Sequence, residues 1–313
     1  MKKLMKMAMM FMACTVAVAG FTSCGDDNDD NGGSSNDNTK EATLAAINKQ
    51  FTNNTVIATY KSLADACEEL QEQLENMNSQ DDLQNVCDQW KSARKYWEWS
   101  EAFLFGAASN YAIDPHIDTW PFDVTSFNNV MAKFHPATNE ADAENVDHMV
   151  ATTQNFTGFH ALEYIIFRNG SARNFSDLTA DEIYFAKSVA ADLYLSACRL
   201  EAAWAGIDNV AAARKELLEE EELEPTDNFG EEMINAGKAG SRWATATLGS
   251  VQIIEGCQDI IAEVADSKIG APYSGDDVNY IESPYSKKSF QDFIDNILSI
   301  QYSIYGGAGA TSP

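Results

Sequence analysis

The sequence predicts an all-α protein, most economically two helical bundles in tandem, and three observations predict it. Apolar residues recur at alternating steps of three and four along most of the chain, the spacing of one helix face. No segment shows the sustained apolar–polar alternation of a half-buried strand. Helix starts and stops punctuate the pattern, among them the Thr179 and Glu182 capping pair and the breaker Pro225. With 313 residues the chain is long enough for two ordinary domains.

Residues 1–23 carry Lys2, Lys3 and Lys6 without an acid, then an apolar run from Met7 to Phe21 and small residues before Cys24, the layout of a signal peptide. Phe21-Thr22-Ser23-Cys24 is similar to a bacterial lipobox, in which the cysteine becomes the lipidated N-terminus. An ordinary secretory cleavage with Cys24 incidental is the alternative. Residues 24–40 should form a flexible acidic tether, because 25–39 hold five Asp and no apolar side chain to bury. An Asp-rich tract after a lipidated cysteine resembles the surface-export signals of some Gram-negative lipoproteins. The expected location is the cell envelope, lipid-anchored to the outer membrane and periplasmic or surface-exposed. No other stretch approaches the ~20 apolar residues that a membrane span needs.

A first bundle is expected over 41–172. Val56, Tyr60, Leu63, Cys67, Leu70, Leu74 and Met77 fall on one stripe of a long amphipathic helix. Ser79 and Asp82 cap a second helix, on which Leu83, Val86, Cys87, Trp90, Arg94 and Trp97 continue the spacing to about Phe105, so a hairpin turns near 77–80. Gly106 to Asp123 breaks the period around Pro115 and Pro121 and reads as a loop. Shorter helices follow over 125–134, 140–153 and 158–168. The polar stretch Asn169 to Asp177, with Gly170 as a helix stop, is the boundary to a second bundle over 173–313. There a helix should run from Thr179 to about Leu223, another over 229–266, and a last one over 286–305, where Phe290, Phe293, Ile297, Ile300 and Ile304 align.

Asp and Glu number 48 against 21 Lys and Arg, a net charge of −27. A field of that sign repels nucleic acid and anionic lipid, and nucleic acid is excluded as a partner. Cys67 and Cys87 stand equidistant from residue 77, so across an antiparallel hairpin they can bridge. Both also sit on core stripes, where a free thiol is a small hydrophobe, and both readings stand. No Cys/His grouping has zinc spacing.

Of four histidines, His160 is the informative one. In Gly158-Phe159-His160-Ala161-Leu162-Glu163 the imidazole and carboxylate are three apart, share a helix face and can meet one ligand, which makes half of a transition-metal site. A His–Glu pair tied into a core network is the alternative. The zincin pattern HExxH, two His and a base on one helix, is absent. Arg94, Trp97 and Glu101 share a helix face, and the loop Asp114-Pro115-His116-Ile117-Asp118-Thr119-Trp120-Pro121 adds two carboxylates and a His.

Together the run RKYWEWSEAFLFG (94–106), the loop DPHIDTWP, the segment GFHALE, and Ser283-Pro284-Tyr285-Ser286 with Ser289, Asp292-Phe293 and Asn296-Ile297 resemble the imelysin-like family, in family order from about residue 44 to 306. The resemblance implies two four-helix bundles with a site near their junction, in an exported protein, often a lipoprotein, associated with bacterial iron uptake. The family was first classed as metallopeptidases. The resemblance also implies His160, Glu163, Ser100, Glu101, Asp114, Asp118 and Ser286 as ligand-binding residues, Arg94, Trp97 and Gly158 as their support, and His160, Glu163 and Glu101 as metal ligands. One departure is Lys287-Lys288, where the family has a polar residue such as His or Asn after Ser286.

Three functions follow. The first is a binding protein of iron uptake that holds iron, another divalent metal or an iron-bearing ligand. The second is a metallopeptidase, which needs a third ligand and a base. The third is a non-catalytic interaction lipoprotein. The oxygen-rich, His-poor candidate set favours the first. Expected partners are the membrane, through a lipid on Cys24, and components of iron uptake.

Overall fold

The computed structural model describes residues 33–312. The expected signal peptide, Cys24 and the tether up to residue 32 lie outside them. Helix α1 (Gly33–Gln50) passes through a π-helical turn, Phe51–Val56, into α2 (Ile57–Asn76). After the turn near 77–80, α3 (Gln80–Glu98) starts where the Ser79 hydroxyl accepts the Asp82 N–H. A 3-10 turn at Glu101–Phe103 and two one-turn helices, α4 (Ala107–Asn110) and α5 (Asp114–Ile117), occupy the expected loop. Then come α6 (Val124–Lys133), α7 (Glu140–Thr152) and α8 (Gly158–Ile166), close to their expected positions.

Strands β1 (Phe167–Arg168) and β2 (Ser171–Ala172) form a small antiparallel hairpin with Phe167 opposite Ala172. Its turn is Asn169-Gly170, both at positive φ, the two-residue connection that matches strand twist. The remaining helices are α9 (Ala180–Ala205), α10 (Ala212–Glu220), α11 (Phe229–Ile234), α12 (Ala246–Ala262), α13 (Ala271–Ser274) and α14 (Ser289–Tyr305), with a π-helical segment, Glu263–Gly270, after α12.

The chain is therefore all-α, as its periodicity predicts. Helix α2 lies against α3 and α9, α9 against α7, α8, α10 and α11, α1 against α11 and α12, and α14 against α3 and α12. Tyr60, Trp90, Trp97, Phe103, Phe159 and Trp204 are buried where these helices meet, large apolar side chains that dominate core energetics. Among the described residues no helix is long and apolar enough to cross a membrane.

Several expected boundaries shift. Helix α1 begins at Gly33, so the end of the expected tether is helical: once a helix exists, each added residue gains a hydrogen bond without a new nucleation cost. The helix expected over 179–223 ends at Ala205, because Gly206 takes φ 89° and returns its N–H to Ala202 O. The helix expected over 229–266 is interrupted between α11 and α12, where Gly237 and Gly240 have φ 89° and 94° and Thr245 caps a fresh start. Cys67, Cys87, Cys198 and Cys257 are free buried thiols. Cys87 turns its sulfur to Ile166 O, 3.6 Å away, so the hairpin closes on core packing without a bridge, and burial pushes that thiol up to about 12.

Helix α14 starts at Ser289, not 286, and buries a polar face while Phe293 and Ile300 of the expected stripe are only half-buried. Asp292, Asp295, Asn296, Ser299 and Ser303 are buried, whereas Phe290, Ile294, Ile297 and Ile304 are exposed. Its polar face turns inward because buried donors need acceptors there. Ala102 N–H donates to Ser299 Oγ at 3.1 Å, Trp99 Nε1 to Asp295 Oδ1 at 2.9 Å, and Lys268 Nζ to Asn296 Oδ1 at 3.2 Å.

Candidate functional site

The core stripe of α3 carries Arg94, whose side chain is fully buried. A buried guanidinium must find charged acceptors or it would be strongly destabilising. Glu98, one turn further along α3, lies 2.5 Å from Nη2, Glu282 Oε1 lies 3.1 Å from the same nitrogen, and Asp118 Oδ1 meets Nη1. Trp97 Nε1 donates to the second Asp118 oxygen at 2.7 Å. Burial opposes the charge on Arg94, but Asp118, Glu98 and Glu282 more than offset it.

Asp118 follows α5, and α5 touches the start of α8. A Cβ on Gly158 would lie 2.1 Å from Ile117 O, and Gly158 has φ 72°, so only glycine fits. That approach sets His160, two residues on, with Nε2 3.1 Å from Asp118 Oδ1 and Nδ1 3.6 Å from Glu163 Oε2. Neither contact has hydrogen-bond alignment, so both act as charge contacts. Burial opposes protonation of His160, yet Asp118 and Glu163 outweigh it and raise its pKa above the usual value. The Trp120 ring packs against the imidazole at a tilt of 51°, centroids 4.7 Å apart.

The other Glu163 oxygen, Oε1, accepts from Tyr285 N–H at 3.1 Å, Ser286 N–H at 2.8 Å and Ser286 Oγ at 2.7 Å. The Asn169-Gly170 turn holds that C-terminal segment in place, since Gly170 N–H donates to Tyr285 O at 2.8 Å. A second cation arrives on the π-helical segment. Lys268 Nζ lies 2.8 Å from Glu282 Oε1, 3.9 Å from Glu98 Oε2 and 3.8 Å from Glu263 Oε1.

Around Arg94, Lys268 and His160 stand Glu98, Glu101, Asp114, Asp118, Glu163, Glu263, Glu282 and Asp292, so acid exceeds base in a space of low dielectric. Burial pushes Glu98 and Glu101 well above the usual carboxylate range. It pushes Asp114 up to about 7, with Asp118 and Glu263 adding repulsion, and Asp292 to about 6. Asp118 is the exception: burial would raise it, but Arg94 and His160 hold it well below the usual range. Glu101 and Asp114 make no ion pair among the described residues, and Lys268 acts on both only at a distance. One oxygen each of Glu98, Asp118 and Glu282 falls within 4.8 Å of the others, close enough to share an ion, but Arg94 already contacts all three.

Of the residues singled out from sequence, His160, Glu163, Asp118, Ser286, Arg94 and Trp97 meet in one network, and Glu101 and Asp114 flank it. Ser100 stands apart, its hydroxyl donating to Trp97 O at 2.6 Å where α3 ends. His160, Glu163 and Glu101 are not among the described groups that lie close enough together to share an ion; Glu163 Oε1 accepts from Tyr285 and Ser286, and Oε2 is in charge contact with His160. Sequence reasoning missed Glu98, Glu263, Lys268 and Glu282, and it quoted Asp292 and Asn296 only as part of the resembling C-terminal segment, without a role in the site. Glu98 was findable, four residues after Arg94 on one helix face. No local pattern marks the others.

The family model described as Imelysin matches residues 56–311. Iron-regulated protein A of Synechococcus elongatus is 25% identical over 249 residues, 79% of this chain and 60% of that protein, so the chain spans under two thirds of that relative's length. A solved structure described as an iron-regulated protein A precursor from Parabacteroides distasonis has the same fold, with a TM-score of 0.68 at 24% identity over 86% of this chain and 75% of that one. The family match takes in both the Gly158–Glu163 segment and the C-terminal segment that binds Glu163, and on its extent this chain belongs to the imelysin family.

Proposed function

We propose that this chain is an exported protein of the cell envelope, lipid-anchored through Cys24, that binds a cation at its acid centre, iron or an iron-bearing ligand, in iron uptake. The observation that carries this reading is the pair Glu101, buried, and Asp114, half-buried, carboxylates with no ion pair of their own among the described residues. Buried acid in excess of base takes up either protons or a cation. The Asp114 carboxyl, titrating at about 7, is poised between the two near neutral pH. The set of carboxylates close enough to share a bare ion already holds Arg94, so the acid side suits a hydrated or chelated cation. A relative named for regulation by iron supports iron as the metal.

A peptidase reading draws less support. A zinc-water mechanism needs a free base beside the metal, and Glu163 is buried, with Oε1 accepting from Ser286 and Oε2 in charge contact with His160 Nδ1 at 3.6 Å.

Metal analysis of protein purified without chelator, followed by calorimetry with ferrous ion, zinc ion and ferric citrate, tests the proposal. Iron or its chelate should bind and release protons, and the Glu101→Gln, Asp114→Asn double variant should not bind. Failure of the wild-type chain to take up any of the three would sink it. Casein cleavage lost in His160→Ala would promote the peptidase reading in its place.

A further inference from the structure

The outward face of α14 is apolar and uncovered, and we propose that a second copy of this chain covers it, joining two copies through α12 and α14. The two helices run antiparallel, with Cys257 at Ser303 and Lys268, just past α12, at Asn296. Helical spacing then sets Ile254 and Ile261 beside Ile304 and Ile297. With Phe290 and Ile294 they form a ridge whose exposures run from 47% at Ile297 to 81% at Phe290. Neither acid of α14 lies on it, since Asp292 and Asp295 are buried on the opposite side.

The ridge offers roughly 600 Å² of surface from six apolar side chains, about three quarters of the ~800 Å² that each partner contributes to a stable interface. Patches of this size are uncommon on monomers. Charge selects the occupant. A chain whose full sequence carries −27, with three of its lysines in the expected signal peptide, is repelled by anionic lipid and by any acidic face of its own copy. The α14 ridge presents no charge to its own image, so two copies can meet there with their acids turned away and screened beyond ~8 Å. An antiparallel helix pair stacked on its two-fold mate closes a four-helix contact in which each copy uses the same ridge. This inference is independent of what the acid centre binds.

Analytical ultracentrifugation of the exported chain carrying Cys24→Ser, which removes any lipid, should show a dimer in the low-micromolar range. Phe290→Glu with Ile297→Glu should yield a monomer with unchanged far-ultraviolet circular dichroism and melting midpoint, because both side chains lie outside the core. Independently, Ile297→Cys, in the middle of the ridge, should cross-link to its own copy with a short bismaleimide. A monomer at every concentration, a dimer that persists in the double variant, or a monomer that instead floats with phosphatidylethanolamine vesicles would overturn the proposal.

Discussion

Asp114 sets the pH response of the centre. Its carboxyl titrates at about 7 in the folded chain against an ordinary value of 3.8. Between those values the folded state keeps a proton that the unfolded state has released, so stability falls as pH rises through that window. Asp292, at about 6, adds in the same direction. His160, raised above 6.5, contributes stability that is lost as pH passes its folded pKa. The melting midpoint in chelated buffer should therefore decline from about pH 5 to about pH 8, and Asp114→Asn should flatten the slope. A rising midpoint over that range would contradict this account. Gly158 is the other decisive residue. Gly158→Ala drives a Cβ into Ile117 O and strains a positive φ, and should cost at least ~2 kcal/mol by denaturant unfolding, because backbone on both sides must shift.

Two elements carry the site in ways that helix propensity alone does not express. The π-helical segment Glu263–Gly270 delivers Lys268 among Glu98, Glu263 and Glu282, consistent with the frequent placing of such turns at functional positions. Lys268→Met leaves those carboxylates short of a cation. Its midpoint should fall more at about pH 8 than at about pH 5, where protons can replace the lysine; equal losses at both would show that Lys268 acts only through packing. The second element is α14, whose sequence pattern tells that it is a helix but not which face is wet. Alternating steps of three and four locate an apolar stripe, and such stripes normally turn inward. Here Asn296, Ser299 and Asp295 are needed inside, so Phe290, Ile297 and Ile304 of the stripe are left outside while Phe293 and Ile300 stay half-buried against the core.

At the scale of the whole molecule, the lipobox-like Phe21-Thr22-Ser23-Cys24 and the acid-rich residues after it predict an anchored body held off the membrane. Cys24→Ala should move the protein to the soluble fraction; partition with membranes in the absence of detergent would refute the anchor. The sequence by itself determined the all-α class, the hairpin turning at Ser79 and the start of α9 at Thr179, and it pointed to the segment Gly158–Glu163 and the Asp114–Asp118 loop that the structure brings into contact. Each of these rests on local spacing, capping or a short segment, in which neighbours along the chain are neighbours in space. Where a helix stops was harder to read, because Gly206 and Gly237 act through φ rather than through composition. Only the tertiary structure decided that Glu282 and Lys268 complete the surroundings of Arg94, that Ser286 clasps Glu163 across more than a third of the chain, and that α14 faces inward with its polar side. The physical reason is that desolvated charge is satisfied by whichever partners the packing brings within a few ångströms, and that pairing leaves no periodic trace in the order of the residues.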